Sequence, residues 1–245
     1  MKIDILSLFP EMFSPLDVSI IKRARDKGII DINVYNIRDF SADKFKRVDD
    51  YPYGGGNGMV MSAQPIYSAV EHILKSAAIK PRILLMTPGG EIFNQNVAKK
   101  LSCEEHLILI CGHYEGIDER IKPLIDDELS VGDFVLTGGE LAAMVIIDST
   151  CRMLPGVLSS NSSFEEESFY DGLLEYPQYT RPEIYRLMAV PQILLSGHHE
   201  NVRKWRRYES LKKTLRLRPE LIDRNKLSKE DKKLIEKIES EDENI

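Results

Sequence analysis

The chain has 245 residues, 42% of them hydrophobic and 29% charged, with a formal net charge of −6 at pH 7. Those proportions belong to a folded globular chain with material for a sizeable core and exclude a collagen-like or low-complexity polymer. No apolar run approaches the roughly 20 residues needed to span a bilayer, and three widely spaced cysteines, Cys103, Cys111 and Cys151, offer neither a disulfide framework nor a zinc pattern.

Taken in chain order, the opening MKIDILSLFPEMF carries Asp4 inside its apolar run and lacks a small-residue cleavage site. It therefore reads as a strand, residues 3–9, and not as a signal peptide. With the cysteine usage this predicts a cytoplasmic protein without a membrane anchor. Residues 18–26 fit a helix closed by Gly28, and residues 30–37 (IDINVYNI) alternate as a strand. A helix is predicted over 62–77 with Ser62 as N-cap. Residues 82–87 (RILLMT) and 107–111 (LILIC) are apolar enough for buried parallel strands, with a short helix over 94–101 between them. A further helix is expected over 115–125, a last strand over 133–136, and a helix from Glu140. Strand and helix in alternation predict an α/β domain with a mainly parallel sheet.

Residues 159–168 (SSNSSFEEES) are small, polar and acidic without apolar period, and read as a linker. Beyond it, prolines at 177, 182 and 191 give way to a Lys-, Arg- and Leu-rich helical region. The predicted organisation is a domain over 1–158, a linker or lid over 159–170, and a small, mainly α-helical C-terminal domain over 171–245. The acidic average hides a basic segment. Arg203, Lys204, Arg206, Arg207, Lys212, Lys213, Arg216 and Arg218 face the single acid Glu209, a density suited to a phosphate backbone. Trp205 and Tyr208 lie within it, available for stacking or for packing.

Three loops place glycine at the end of a strand: TPGGE (87–91), CGHYEGIDER (111–120) and SVGDFVLTGGE (130–140). Glycine there serves either a tight strand-to-helix turn or close approach of the backbone to a flat ligand. Ligands of open α/β sheets bind at that edge. None of the loops is G-x-G-x-x-G or G-x-x-x-x-G-K-[ST], and GGGNG at 54–58 follows DDYPY rather than a strand. A dinucleotide or triphosphate is disfavoured. An adenine-type ligand without phosphate, such as S-adenosylmethionine, remains, and acids such as Glu115 and Asp133 suit its cationic charge.

The motifs SLFPEMF, DDYPYGGGNGMVM, CGHYEGIDER, SVGDFVLTGGELAAMVIIDSTCRMLPGVL, LLEYPQYTRP and LLSGHHENVRKWRRYESL occur in this order. Together they make the chain resemble the bacterial tRNA (guanine-N1)-methyltransferases of the TrmD family, in the SPOUT class, as far as about Leu221. The resemblance implies a parallel sheet carrying a deep trefoil knot and an obligate homodimer whose active sites draw on both chains. It implies transfer of a methyl group from S-adenosyl-L-methionine to N1 of guanosine 37, just 3′ of the anticodon, in the anticodon stem-loop of tRNA. The donor contacts it implies are Gly112 and Val131, Gly132, Asp133, Phe134, Val135 and Leu136. Thr87, Pro88, Tyr114, Glu115, Gly116, Gly138 and Gly139 support them.

N1 of guanine is a poor nucleophile until its proton is removed, and a carboxylate is the simplest base. The motif offers Glu175, at the place where many relatives have Asp. Charge pushed onto O6 could be met by an arginine, first Arg152 and second Arg181; each could equally be a structural ion-pair partner. Phosphate contacts are expected from Arg181, Arg203, Lys204, Arg206, Arg207, Lys212 and Arg216. His113 is also a plausible turn residue, and direct transfer requires no cysteine nucleophile. No metal cluster is visible, although the resemblance allows Mg²⁺ to assist. The rival readings are a noncatalytic RNA-binding knotted protein and a flavin- or nucleotide-binding α/β protein.

Overall fold

The computed structural model describes residues 1–158 and 167–242, and the chain divides into two compact units, Met1–Asn161 and Ser162–Ile245. Most of the predicted linker, residues 159–166, lies outside the described residues, as do 243–245.

In the first unit, β1 (Lys2–Ser7), α1 (Ser19–Asp26) and β2 (Asp31–Asn36) are followed by the short strands β3 (Asp49–Asp50) and β4 (Val60–Met61). Next come α2 (Ala63–Ser76), β5 (Arg82–Ile92), α3 (Gln95–Leu101), β6 (His106–Cys111), β7 (Asp127–Ser130) and α4 (Glu140–Cys151). Five strands form one sheet in the order β2-β1-β6-β5-β7, every pairing parallel. The central strands are apolar on both faces because both faces are covered. Ile3, Ile5, Leu84, Met86, Leu107 and Leu109 pack with α1, α3 and α4 residues such as Ala24, Val97 and Ile146. Leu6, Ile83, Leu85, Ile108 and Ile110 pack with α2 residues Ile66, Val70 and Ile73.

Local signals fixed several element ends. Gly28, at φ +69°, closes α1: its N–H donates to the Arg25 carbonyl at 2.8 Å and the Ile29 N–H to the Ala24 carbonyl at 3.0 Å. Asn94 caps α3, its Oδ1 accepting from the N–H groups of Asn96 and Val97. Ser62 does precede α2, but its side chain makes no cap bond.

Three expectations need correction. Residues 87–91 do not leave the sheet as a loop: β5 runs on to Ile92, with a register shift in which Met86 and Glu91 both face Leu129. The fifth strand is Asp127–Ser130, and residues 133–136 form no strand. Its sequence, DELS, hides the pairing because it is a short edge strand whose Asp127 is drawn to Arg82 at 2.6 Å. Finally, the helix expected over 115–125 is only a 3-10 turn, Glu119–Leu124. Asp118 accepts from the Arg120 N–H at its start, and Pro123 bars an α-helix.

The second unit holds a β-hairpin, β8 (Ile184–Tyr185) with β9 (Met188–Ala189), then α5 (Gln192–Leu195), α6 (His199–Leu217) and α7 (Lys229–Asp242). Leu173 packs with Leu211 of α6 and with Ile235 and Ile238 of α7. Residues 229–242, for which the sequence suggested no task, thus complete this core. Ser228 and Asp231 bond reciprocally at the start of α7, side chain to backbone N–H in each direction. Among the described residues no helix is long and apolar enough to cross a membrane.

Candidate functional site

The carboxyl ends of β5, β6 and β7 open onto a cleft of about 450 Å³, within the range of small-ligand sites. The 111–120 and 130–140 loops meet there, beside Thr87 and Pro88 of β5. The peptide N–H of Gly139 donates to the Gly112 carbonyl at 2.8 Å, and His113 bridges to Gly138. Gly139 must be glycine: a Cβ would lie 2.8 Å from Met86 Cβ, 2.9 Å from Cys111 Cα and 3.0 Å from the Gly112 nitrogen. Gly90 is equally constrained, its Cβ position falling 2.4 Å from the Glu128–Leu129 backbone. Tyr114, at φ +61°, and Gly116, at φ +134°, turn the second loop back over the cleft. Ser130 Oγ donates to the Gly132 carbonyl at 3.0 Å, shaping the third. Phe134 and Val135, 56% and 84% exposed, stand on its rim.

Every predicted donor residue lines this cleft except Asp133, which does not. The acids Asp118, Glu119 and Glu128 also line it, and the sequence reading passed over them although two sit inside CGHYEGIDER. With Glu115 they make four carboxylates; Lys122 pairs with Glu119 at 2.9 Å and Glu128 at 3.8 Å. The Arg120 guanidinium and backbone N–H pair with Asp118 and hold it down at about 2. Acids outnumber cations at this cleft, a balance that favours a cationic ligand over a phosphate.

Arg152 is not in it. It is the C-cap residue of α4, and the rise of a helix of that length puts it about 18 Å from the end that abuts the cleft. Burial pushes the Cys111 thiol well up, with the charge of Glu140 adding, and raises Cys151 to about 12. Neither supplies a thiolate nucleophile. Among the described residues no cluster of His, Cys, Asp and Glu has the makings of a metal site.

The second unit carries its own cleft, about 380 Å³, lined by Glu167, Asp171, Glu175, Tyr176, His199, Arg203, Arg206 and Arg207 among others. Glu175 is half-buried there. Its N–H donates to Ser168 Oγ at 2.9 Å, its carbonyl accepts from Lys213 Nζ at 3.1 Å, and its carboxylate accepts from Gln178. Glu167 and Asp171 were not singled out from sequence. The basic helix is less free than its composition suggests. Arg207 bonds Asp231 through Nε at 2.7 Å and Asp171 through Nη1 at 2.6 Å, tying α6 to α7. These two ion pairs give it a structural role within the unit. Lys204 pairs with Glu200 at 2.8 Å, Arg206 lies over the Tyr176 ring at 4.7 Å, and Lys212 lies over Tyr208 at 5.7 Å. Arg181, Arg203 and Arg216 are exposed. Trp205 stands outside the small core, 6.4 Å from the Tyr179 ring, whereas Tyr208 packs against it.

Comparison with known proteins adds an independent line. A sequence profile described as tRNA (Guanine-1)-methyltransferase TrmD matches residues 1–224. The tRNA (guanine-N(1)-)-methyltransferase of Clostridium novyi (strain NT) is 60% identical over 236 residues, 96% of this chain and 97% of that protein. The protein of the same name from Dictyoglomus turgidum is 54% identical over 242 residues, 98% of each chain. That from Streptococcus pyogenes serotype M4 is 58% identical over 238 residues, covering 97% and 98%.

Proposed function

The chain belongs to the tRNA (guanine-1)-methyltransferase family TrmD, and from that premise we propose that it methylates N1 of guanosine 37 in tRNA with S-adenosyl-L-methionine as donor. The observation that carries the choice of donor is the acid-rich, glycine-lined cleft at the carboxyl ends of β5, β6 and β7. When bound, the donor supplies an electrophilic methyl group on a sulfonium centre. Peptide groups of Val131, Gly132, Phe134, Val135 and Leu136 and of Gly112, Gly138 and Gly139 would hold the adenosine, and carboxylates such as Glu115 would favour its cationic end. The contact between the 112–116 and 131–139 loops is where we place the trefoil knot.

Guanine must be unstacked from the anticodon loop to reach the methyl group. Glu175 takes the N1 proton while the N1–C bond would form and the sulfonium S–C bond break, with S-adenosylhomocysteine as the leaving group, and Arg152 stabilises the charge that develops on O6. A second carboxylate, Glu167, is favoured by its place in the same cleft as Glu175. Arg152 caps the far end of α4, so one chain's donor cleft does not include it. The proposed assembly is a homodimer in which the partner completes each site. Mg²⁺ is an optional aid, with no protein ligand set assigned to it.

Titration calorimetry tests the donor: S-adenosylhomocysteine is expected to bind, whereas ATP and FMN are not, and binding of ATP alone would overturn the reading. A tRNA transcript carrying adenosine in place of guanosine 37 should accept no methyl group.

The exposed cations of the second unit are proposed to meet phosphates. Replacing Arg203 and Arg216 together by Ala should weaken tRNA binding and reduce the slope of log affinity against log salt by about one per lost contact. Arg207→Ala should instead lower the melting temperature by several degrees, since it strands the buried Asp231. An unchanged slope in the double variant would move the RNA to another surface.

A further inference from the structure

Where β1, β6 and α4 meet, a small buried polar group is left unused by the reaction proposed above. Glu140, the first residue of α4, is 1% exposed. Its Oε1 accepts a hydrogen bond from Ser7 Oγ at 2.8 Å, and that same Oγ accepts from the Phe9 N–H at 2.9 Å. Its Oε2 is buried without a hydrogen bond among the described residues, and so is Nδ1 of His113. The two atoms stand 3.9 Å apart. The His113 ring is wedged between Phe9 and Tyr114, with ring centroids at 5.0 and 5.1 Å. Gly138 lies against the pair: a Cβ there would fall 2.3 Å from Glu140 Oε2 and 2.4 Å from His113 Nδ1.

A buried carboxylate oxygen and a buried ring nitrogen left without partners are a cost to the folded state. Such a cost persists where it serves a site. Of the group, His113 lines the donor cleft and the others pack behind it. His113 follows Gly112, Glu140 follows Gly138 and Gly139, and Ser7 and Phe9 belong to SLFPEMF, a motif without a role so far. We propose that Glu140 is a positioning residue: held by Ser7, it draws the Nδ1–H of His113 towards Oε2 and so fixes the distance between the 112–116 and 137–139 loops. The 3.9 Å contact closes to a hydrogen bond when the cleft is filled. The proposal rests on the reading of this cleft as the donor site.

Calorimetry with S-adenosylhomocysteine and thermal unfolding without ligand, on Glu140→Gln, His113→Ala, Ser7→Ala and the Glu140→Gln/His113→Ala double variant, test it. Each single change should weaken binding about tenfold, the scale of one charge-assisted hydrogen bond, and raise KM for the donor while kcat at saturation holds. The unliganded Glu140→Gln protein should melt no lower than wild type, because a buried charge has gone. The double variant should lose no more than the worse single one. The proposal is overturned if affinity is unchanged in all, or if Glu140→Gln lowers affinity and melting temperature together and the losses add. Failure of wild type itself to bind S-adenosylhomocysteine would sink the donor reading, and this proposal with it.

Discussion

Glu175→Gln is expected to abolish turnover, lowering kcat by roughly 10²–10⁴, while leaving affinity for S-adenosylhomocysteine at its wild-type value. The carboxamide keeps the size and shape of the side chain but has no capacity to take a proton. The backbone of Glu175 is anchored independently of its carboxylate, through Ser168 Oγ and Lys213 Nζ, so the substitution leaves the fold of this segment in place. Two other carboxylates share the cleft. Asp171 is already engaged by Arg207 at 2.6 Å. Glu167 is the remaining competitor, so Glu167→Gln is measured alongside, in single turnovers at saturating donor. The variant that loses the chemical step identifies the proton acceptor. If both retain full rate, the base lies elsewhere and the second-unit cleft has no part in the chemistry.

Much of the fold was legible because the sheet is buried on both faces. Runs such as LILIC at 107–111 admit little other than a central parallel strand, and Gly28 and Asn94 mark helix ends by their own chemistry. Where the sequence misled, tertiary forces overrode a local pattern. The apolar FVL at 134–136 resembles a strand, yet Phe134 and Val135 are exposed on the rim of the cleft. The acidic DELS resembles a loop, yet Arg82 supplies the charge that lets it pair as an edge. The loops that line the cleft stand out by their glycines, since a close approach such as that of Gly139 to Cys111 excludes any side chain. The acids around them do not, because no spacing rule tells a cleft-facing carboxylate from a solvated one. Arg207 shows the same limit in reverse: within a basic run nothing marks a guanidinium that holds two acids of its own unit.

Mixing two inactive variants should restore activity if each site is shared between chains. One partner carries the inactivating carboxylate change, Glu175→Gln, or Glu167→Gln if that residue is the base. The other carries Gly132→Ala. Gly132 has φ +148°, and a Cβ there falls 2.6 Å from the Phe134 ring, so both the loop and a residue lining the cleft must shift and donor affinity should fall by about a hundredfold or more. In a heterodimer with shared sites, one site combines the intact donor cleft of the first chain with the intact carboxylate of the second, and the other site inherits both defects. Random re-pairing makes half of the dimers mixed, each with one working site of two, so about a quarter of wild-type activity should return. Sites built within single chains would leave every dimer dead, because each chain carries one lesion. Sedimentation of the two variants and of the mixture fixes the assembly state, and a monomer in all three would remove the basis for a shared site. Recovery near a quarter, in a dimer, would place the proton acceptor across the interface from the cleft it serves.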